Sequence, residues 1–273
     1  GKFKLLPQIL PLFPDNINTF VDLFGGGCNV GINSNAKKIY YNEKQSEIVD
    51  LFQNLYKHSV EETLILVNDT IAKFNNIATK EDYWALRDSY NADKAWYKLF
   101  VLSCYSFNCS LRFNKSGGFN MTSGVGSSYF NDSIKERLIK YIDFIKTKDI
   151  EFLNKDFREV DILDTLGEND FVYLDPPYLI SIANYNENGG WGEKDEKDLL
   201  ALLDKLNDKG IKFALSNVIV HKGQENNLLI EWGKKYNIYM LQMKYNASWN
   251  AGKKKENNVK ETIEVVVTNY IAQ

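Results

Sequence analysis

The chain has 273 residues, enough for one large domain or two modest ones, and its 44% hydrophobic and 25% charged residues are an ordinary globular composition with a real core. A formal net charge of −3 excludes a protein that works by coating nucleic acid with positive charge over its whole surface, so any such contact has to be local. Three cysteines without C-x-x-C spacing and two histidines argue against structural zinc and a disulfide framework and fit a reducing cytoplasm; no apolar run reaches the roughly 18 residues of a membrane span, and no signal peptide is visible.

In chain order, the sequence starts without Met, so a few native residues are expected to be missing. Residues 18–24 predict a short buried strand ending on Gly25, Gly26 and Gly27. Residues 37–41 (KKIYY) predict a second strand closing on Asn42 and Glu43, and 46–56 carry apolar side chains at helical spacing. Between 57 and 147 the strand signal fades, and 61–74, 81–90 and 92–107 all read as helices. Residues 108–129 are polar and rich in Gly, Asn and Ser; a connection this long is either functional or disordered. Ser133 opens a further helix, with Glu136 at capping-box spacing. Strand-helix alternation then returns, with strands at 150–152, 170–174, 211–216, 239–245 and 262–270 and helices at 195–206 and 227–236. A Lys/Asn/Gly-rich loop between the last two strands predicts an antiparallel pair. The alternation implies a mostly parallel sheet covered on both faces, into which the helical block is inserted.

Two stretches carry chemistry. V-D-L-F-G-G-G at 21–27 is a strand followed by a turn without obstructing side chains, and in open parallel sheets ligands sit beyond the carboxyl ends of the strands. It is not G-x-G-x-x-G and no P-loop lysine follows, so a nucleoside without phosphates fits better than a pyrophosphate. Asp22 would then face a cationic amine and Glu43, at the end of the next strand, the ribose hydroxyls. A tight turn that binds nothing is the alternative for this motif alone. V-Y-L-D-P-P-Y-L-I at 172–180 is the second stretch. Proline has no N–H and biases the residue before it toward extended backbone, so Pro176 and Pro177 end the strand stiffly with Asp175 at its carboxyl end. Asp175 and the carbonyls of Asp175 and Pro176 offer acceptors, and Tyr178 offers a flat face. Acceptors beside a ring match an exocyclic amino group on a nucleobase, which they hold while drawing the nitrogen lone pair out of conjugation. A proline-stiffened turn that merely caps a strand is the bland alternative.

L-F-G-G-G at 23–27 and D-P-P-Y at 175–178, with a helical insert between them, resemble the Dam-type (D12 class, alpha-group) DNA adenine N6-methyltransferases over nearly the whole chain. The resemblance implies an α/β fold, a Rossmann-like S-adenosylmethionine-dependent methyltransferase sheet with an inserted, mainly helical target-recognition domain. Residues 1–56 and 148–273 would form the catalytic and cofactor-binding domain, and 57–147 the DNA target-recognition domain with a recognition hairpin near 107–129. The cofactor would be S-adenosylmethionine, leaving as S-adenosylhomocysteine, with no metal. By resemblance Lys2, at the end of a G-x-K motif, Asp22, Phe24, Gly25, Gly26, Gly27, Glu43 and Asp175 would surround the cofactor. In N-K-D-F at 154–157, Asp156 would bond its adenine amine and Phe157 pack on the adenine face. Asp175, Pro176, Pro177 and Tyr178 would be catalytic. In F-N-C-S-L-R-F-N at 107–114 and G-G-F-N-M-T at 117–122, Phe107, Asn108, Arg112, Asn114 and Asn120 would meet DNA, joined by Ser248, Asn250, Lys253 and Lys254 from a late loop. A bidentate arginine on guanine is the commonest specific major-groove contact.

The implied reaction is methyl transfer to the N6 amine of an adenine flipped out of a short duplex site, GATC-like by resemblance. The implied partners are double-stranded DNA and a cognate restriction endonuclease, with no membrane; the protein is expected to be a cytoplasmic monomer of bacterial or phage type. Methylation of the cytosine amine or of RNA, and a non-catalytic DNA-binding protein on this scaffold, are the rival readings. A cytosine C5 enzyme needs a nucleophilic cysteine, and none adjoins the Pro-Pro pair.

Overall fold

The computed structural model describes residues 2–180, 190–242 and 262–272. Its strands are β1 Thr19–Asp22, β2 Lys38–Asn42, β3 Ile150–Leu153, β4 Phe171–Leu174, β5 Lys212–His221, β6 Gln224–Glu225, β7 Asn237–Leu241 and β8 Thr262–Thr268. Its α-helices are α1 Leu6–Ile9, α2 Ser46–Lys57, α3 Val60–Lys73, α4 Lys80–Asp93, α5 Trp96–Tyr105, α6 Asp132–Ile145, α7 Glu193–Asp208 and α8 Asn227–Gly233. The chain divides into two compact units: one holds residues up to 43 and the described residues from 155 onward, the other residues 44–154. The division therefore gathers α2 and β3 with the helical block.

In the first unit the strand order is β2-β1-β4-β5-β8-β7. β1 pairs in parallel with β2 on one side and β4 on the other, and β4 pairs in parallel with β5. The chain thus leaves β1 in one direction and later returns on its opposite flank. That reversal opens a crevice beyond the carboxyl ends, where this class of sheet binds ligands. β8 runs antiparallel between β5 and β7, so the predicted antiparallel pair is present, and β6 folds back on β5 as a short hairpin. β4 and the middle of β5 are buried on both faces, which explains their unbroken apolar runs. An aromatic cluster of Phe13, Phe20, Phe171 and Tyr173 fills one face, with ring centroids 4.9–6.4 Å apart. Leu199, Leu203 and Leu206 on α7, at i, i+4 and i+7, bury one stripe of that helix.

Asn42, at the end of β2, closes the neck of the insertion. Its side-chain amide donates to the carbonyls of Leu23 (3.0 Å) and Lys155 (3.1 Å), and its Oδ1 accepts from the Lys155 N–H (3.1 Å).

The second unit is mainly helical. Capping boxes open α3 (Ser59 with Glu62) and α4 (Thr79 with Asp82). The start of α6 differs from the sequence reading: Asn131 is the N-cap, its Oδ1 accepting from Ile134 N–H at 3.0 Å, and Ser133 lies inside the helix. One residue of extended backbone is all a cap needs, and Asn131 supplies it earlier in the chain. Residues 106–123 fold back as a hairpin with antiparallel bridges at Ser106–Ser123 and Phe113–Phe119. Phe119 anchors it, 1% exposed, with its ring 6.1 Å from Tyr90 and 5.7 Å from Phe113.

Candidate active site

β1 ends at Asp22, 2% exposed, whose Oδ2 accepts the Gly31 N–H at 3.1 Å. Burial pushes its carboxyl up to about 7; the Gly31 hydrogen bond opposes this, and the charges of Asp175 and Glu43 add to it. Gly26 follows at φ +45°, a conformation that suits glycine, and its N–H donates to Glu43 Oε2 at 3.1 Å. Gly25 is required for a different reason: a Cβ there would stand 2.2 Å from the Tyr41 ring, whose hydroxyl donates to the Gly26 carbonyl at 2.7 Å. The glycines thus serve the close approach of a buried ring to the turn as well as the turn itself.

β4 delivers Asp175 at its carboxyl end, followed by the buried Pro176. The Tyr178 hydroxyl donates to Asp175 Oδ1 at 2.9 Å. Lys2, 7% exposed, brings its Nζ 3.4 Å from the same oxygen, donates to the Tyr178 hydroxyl, and lies 5.0 Å from the Tyr178 ring centroid. Burial raises the Asp175 carboxyl above its ordinary value while Lys2 and Tyr178 pull it back. Burial, with the charges of Asp175 and Glu264, holds the Tyr178 phenol far above its ordinary value, so it stays a donor. Behind β4, the Tyr173 hydroxyl and Ser216 Oγ share a 2.8 Å hydrogen bond inside the sheet.

Phe24, after β1, and Phe157 stand with centroids 5.5 Å apart, and Trp191 completes a triangle at 5.6 Å from each. Asp156 caps the short turn after it by accepting the Arg158 N–H at 3.1 Å, and Arg158 also pairs with Asp156, Asp195 and Asp198. The guanidinium lies 4.3 Å from the Phe157 centroid.

Among the residues expected from sequence to bind cofactor or act in catalysis, Lys2, Asp175 and Tyr178 come together, as do Asp22 with Glu43 and Phe24 with Phe157. Two acids escaped the sequence reading. Glu264 on β8 accepts from Lys2 Nζ at 3.0 Å. Glu196 on α7, fully buried, accepts from Trp191 Nε1 (2.6 Å), Asn226 (2.9 Å) and Asn217 (3.3 Å). The available signal was an acid set against three valines in Glu264-Val265-Val266-Val267.

The residues expected to meet DNA lie in the second unit or outside the described residues. Phe107 is 51% exposed, and Asn108 takes a left-handed φ of 55°. Arg112 is held across the hairpin, Nε to Asn120 Oδ1 at 3.0 Å and Nη2 to the Asn120 carbonyl at 2.9 Å. Asn114 turns its Oδ1 inward to the N–H groups of Ser116 (3.0 Å) and Gly118 (2.8 Å), so it shapes the hairpin tip. Ser248, Asn250, Lys253 and Lys254 lie outside the described residues.

A sheet of this order, with acids, a buried lysine and aromatic side chains at its carboxyl ends beside D-P-P-Y, defines an α/β protein with its charged groups gathered at one edge of the sheet. The chain belongs to the D12 class N6 adenine-specific DNA methyltransferase family, whose sequence model matches residues 1–247. It is 44% identical to the Type II methyltransferase M.FokI of Planomicrobium okeanokoites, covering 99% of this chain and 42% of that protein. It is 40% identical to the modification methylase StsI of Streptococcus sanguinis, with the same two coverages. The Type II methyltransferase M1.LlaDCHI of Lactococcus lactis subsp. cremoris is 27% identical, over 99% of this chain and 93% of that protein. The chain therefore spans about two fifths of the length of the first two relatives.

Proposed function

We propose that the chain is a site-specific DNA methyltransferase of the Dam-type, alpha-group arrangement, acting on the N6 amine of adenine in a short duplex site. The observation that carries this reading is Asp175 at the end of a buried parallel strand, with Tyr178 and Lys2 converging on its Oδ1. Asp175 and the Pro176 carbonyl accept the two amine hydrogens of a flipped adenine, and the Tyr178 ring packs on its face. Tyr178 keeps its proton, so its hydroxyl fixes Asp175 and its ring is held at a set angle. Catalysis then rests on positioning and on preorganised charge.

The residues present fit S-adenosylmethionine. Asp175 and Glu43 both raise the Asp22 carboxyl by their charge, an acceptor set suited to a cation with hydroxyl groups, and Phe24, Phe157 and Trp191 supply apolar ring surface for an adenine. Bound there, the cofactor supplies an electrophilic methyl group. Asp22 takes its amino group, Glu43 the ribose, and Asp156 with Phe157 the adenine. Lys2 belongs to both sites through Asp175. Residues 57–147, within the 44–154 unit, are the target-recognition region, with Phe107, Asn108, Arg112, Asn114 and Asn120 facing DNA. A GATC-like site and a cognate restriction endonuclease complete the proposal. The test is transfer of labelled methyl from S-adenosylmethionine to unmethylated duplex DNA, followed by base analysis and sequencing of the modified positions. Labelled N6-methyladenine at one short sequence is expected; label on cytosine, or DNA binding without label, overturns the reading.

A further inference from the structure

Glu264 is a buried acid beside the candidate site that the proposed reaction does not use. It sits in β8 opposite Val218 of β5 and Leu241 of β7, 9% exposed among valines. A carboxylate in such a place is retained only with a partner. Its partner is the Lys2 ammonium at 3.0 Å, from a residue 262 positions away in the chain. The same ammonium stands 3.4 Å from Asp175, so one buried cation lies between two acids.

This matters because of what has to come close. The reading above, on which this inference rests, places a positively charged sulfur within bonding reach, through its methyl group, of the amine that Asp175 holds. Lys2 alone would cancel the charge of Asp175 and set an ammonium against a sulfonium in a water-poor crevice. With Glu264 the group of three carries a net negative charge. We propose that Glu264 is a positioning residue that neutralises Lys2, so that this end of the sheet favours the cationic cofactor over its neutral thioether product. Lys2 can then hold Tyr178 and Asp175 in place without opposing the methyl donor, and product leaves a site whose charge no longer attracts it.

The experiment is calorimetric titration of the full chain with S-adenosylmethionine and, separately, S-adenosylhomocysteine. A merely structural role for Glu264 would weaken both ligands alike. With Glu264→Gln, the Kd for S-adenosylmethionine is expected to rise about tenfold more than that for S-adenosylhomocysteine, the scale of one charge removed about 12 Å away at an effective dielectric constant near 20. The double variant Lys2→Met with Glu264→Gln is expected to return the ratio of the two constants to within about twofold of wild type, because the two charges act only on each other's account. Lys2→Met alone should move the ratio the opposite way, toward S-adenosylmethionine, and serves if Glu264→Gln does not fold. A ratio that stays at the wild-type value in the folded single variants overturns the inference and leaves the methyltransferase reading standing. Wild-type protein that binds neither ligand overturns both.

Discussion

Asp22 gives the most direct way to measure the electrostatics of the crevice. Asp22→Asn keeps an oxygen to accept the Gly31 N–H and removes the charge. In the folded chain burial, reinforced by Asp175 and Glu43, moves the carboxyl from 3.8 to about 7. The unfolded chain releases this proton near the ordinary value. Below pH 4 both states hold it and nothing is lost. Between pH 4 and pH 7 only the folded state holds it, so folding weakens as the pH rises. Above pH 7 the folded state carries a buried, poorly solvated charge, and the full loss is on the order of 4 kcal/mol. The asparagine variant is free of this loss. Its stability relative to wild type should therefore climb by about 2–4 kcal/mol between pH 4.5 and pH 8. Urea unfolding followed by circular dichroism at pH 4.5, 6 and 8 reads the difference. Curves for the two proteins that stay parallel across that range would refute the reasoning. The gain in stability should come with a loss: the variant is expected to bind S-adenosylmethionine more weakly, because the charge that destabilises the fold is the one proposed to meet the ligand's amine.

Three further outcomes can be checked. Asp175→Asn should slow methyl transfer by about 10²–10³-fold while leaving cofactor titration measurable, since the amine loses its charged acceptor. Gly25→Ala should destabilise the protein by about 1–3 kcal/mol in chemical unfolding, because its methyl group has to displace the Tyr41 ring. Arg112→Ala should reduce the preference for the cognate duplex by about 1–3 kcal/mol in competition binding while changing the salt dependence little; an equal loss on all sequences would assign Arg112 to the phosphate backbone instead.

Much of the fold was written locally. The buried parallel strands announce themselves as apolar runs, and D-P-P-Y ends β4 because proline cannot continue a ladder. What stayed hidden depends on partners far apart in sequence. Lys2 reads as the end of a terminal motif until Glu264 and Asp175 are seen beside it. Glu196 lies in a helix segment, E-K-D-E-K-D, that looks like a solvated face, yet its i+3 relation to Leu199 places it on the buried stripe. Asn114 sits among residues that resemble readers of DNA, and its Oδ1 also accepts the Ser116 and Gly118 N–H groups at the tip of its own hairpin. Gly25 reads from sequence as room for a ligand, and the Tyr41 ring is an equally demanding neighbour.

The neck at Asn42 has an implication for how such proteins diversify. One side chain ties Asn42, at the end of β2, to Lys155, just past β3, so the two ends of the 111-residue stretch over 44–154 are already joined at its base. For a loop with fixed ends, doubling its length adds only about 0.6 kcal/mol of closure entropy. The helical stretch between β2 and β3 can therefore be lengthened or shortened while β1, β2 and β4 keep their register. Asn42 is in this sense a socket that holds the base of the excursion whatever its length.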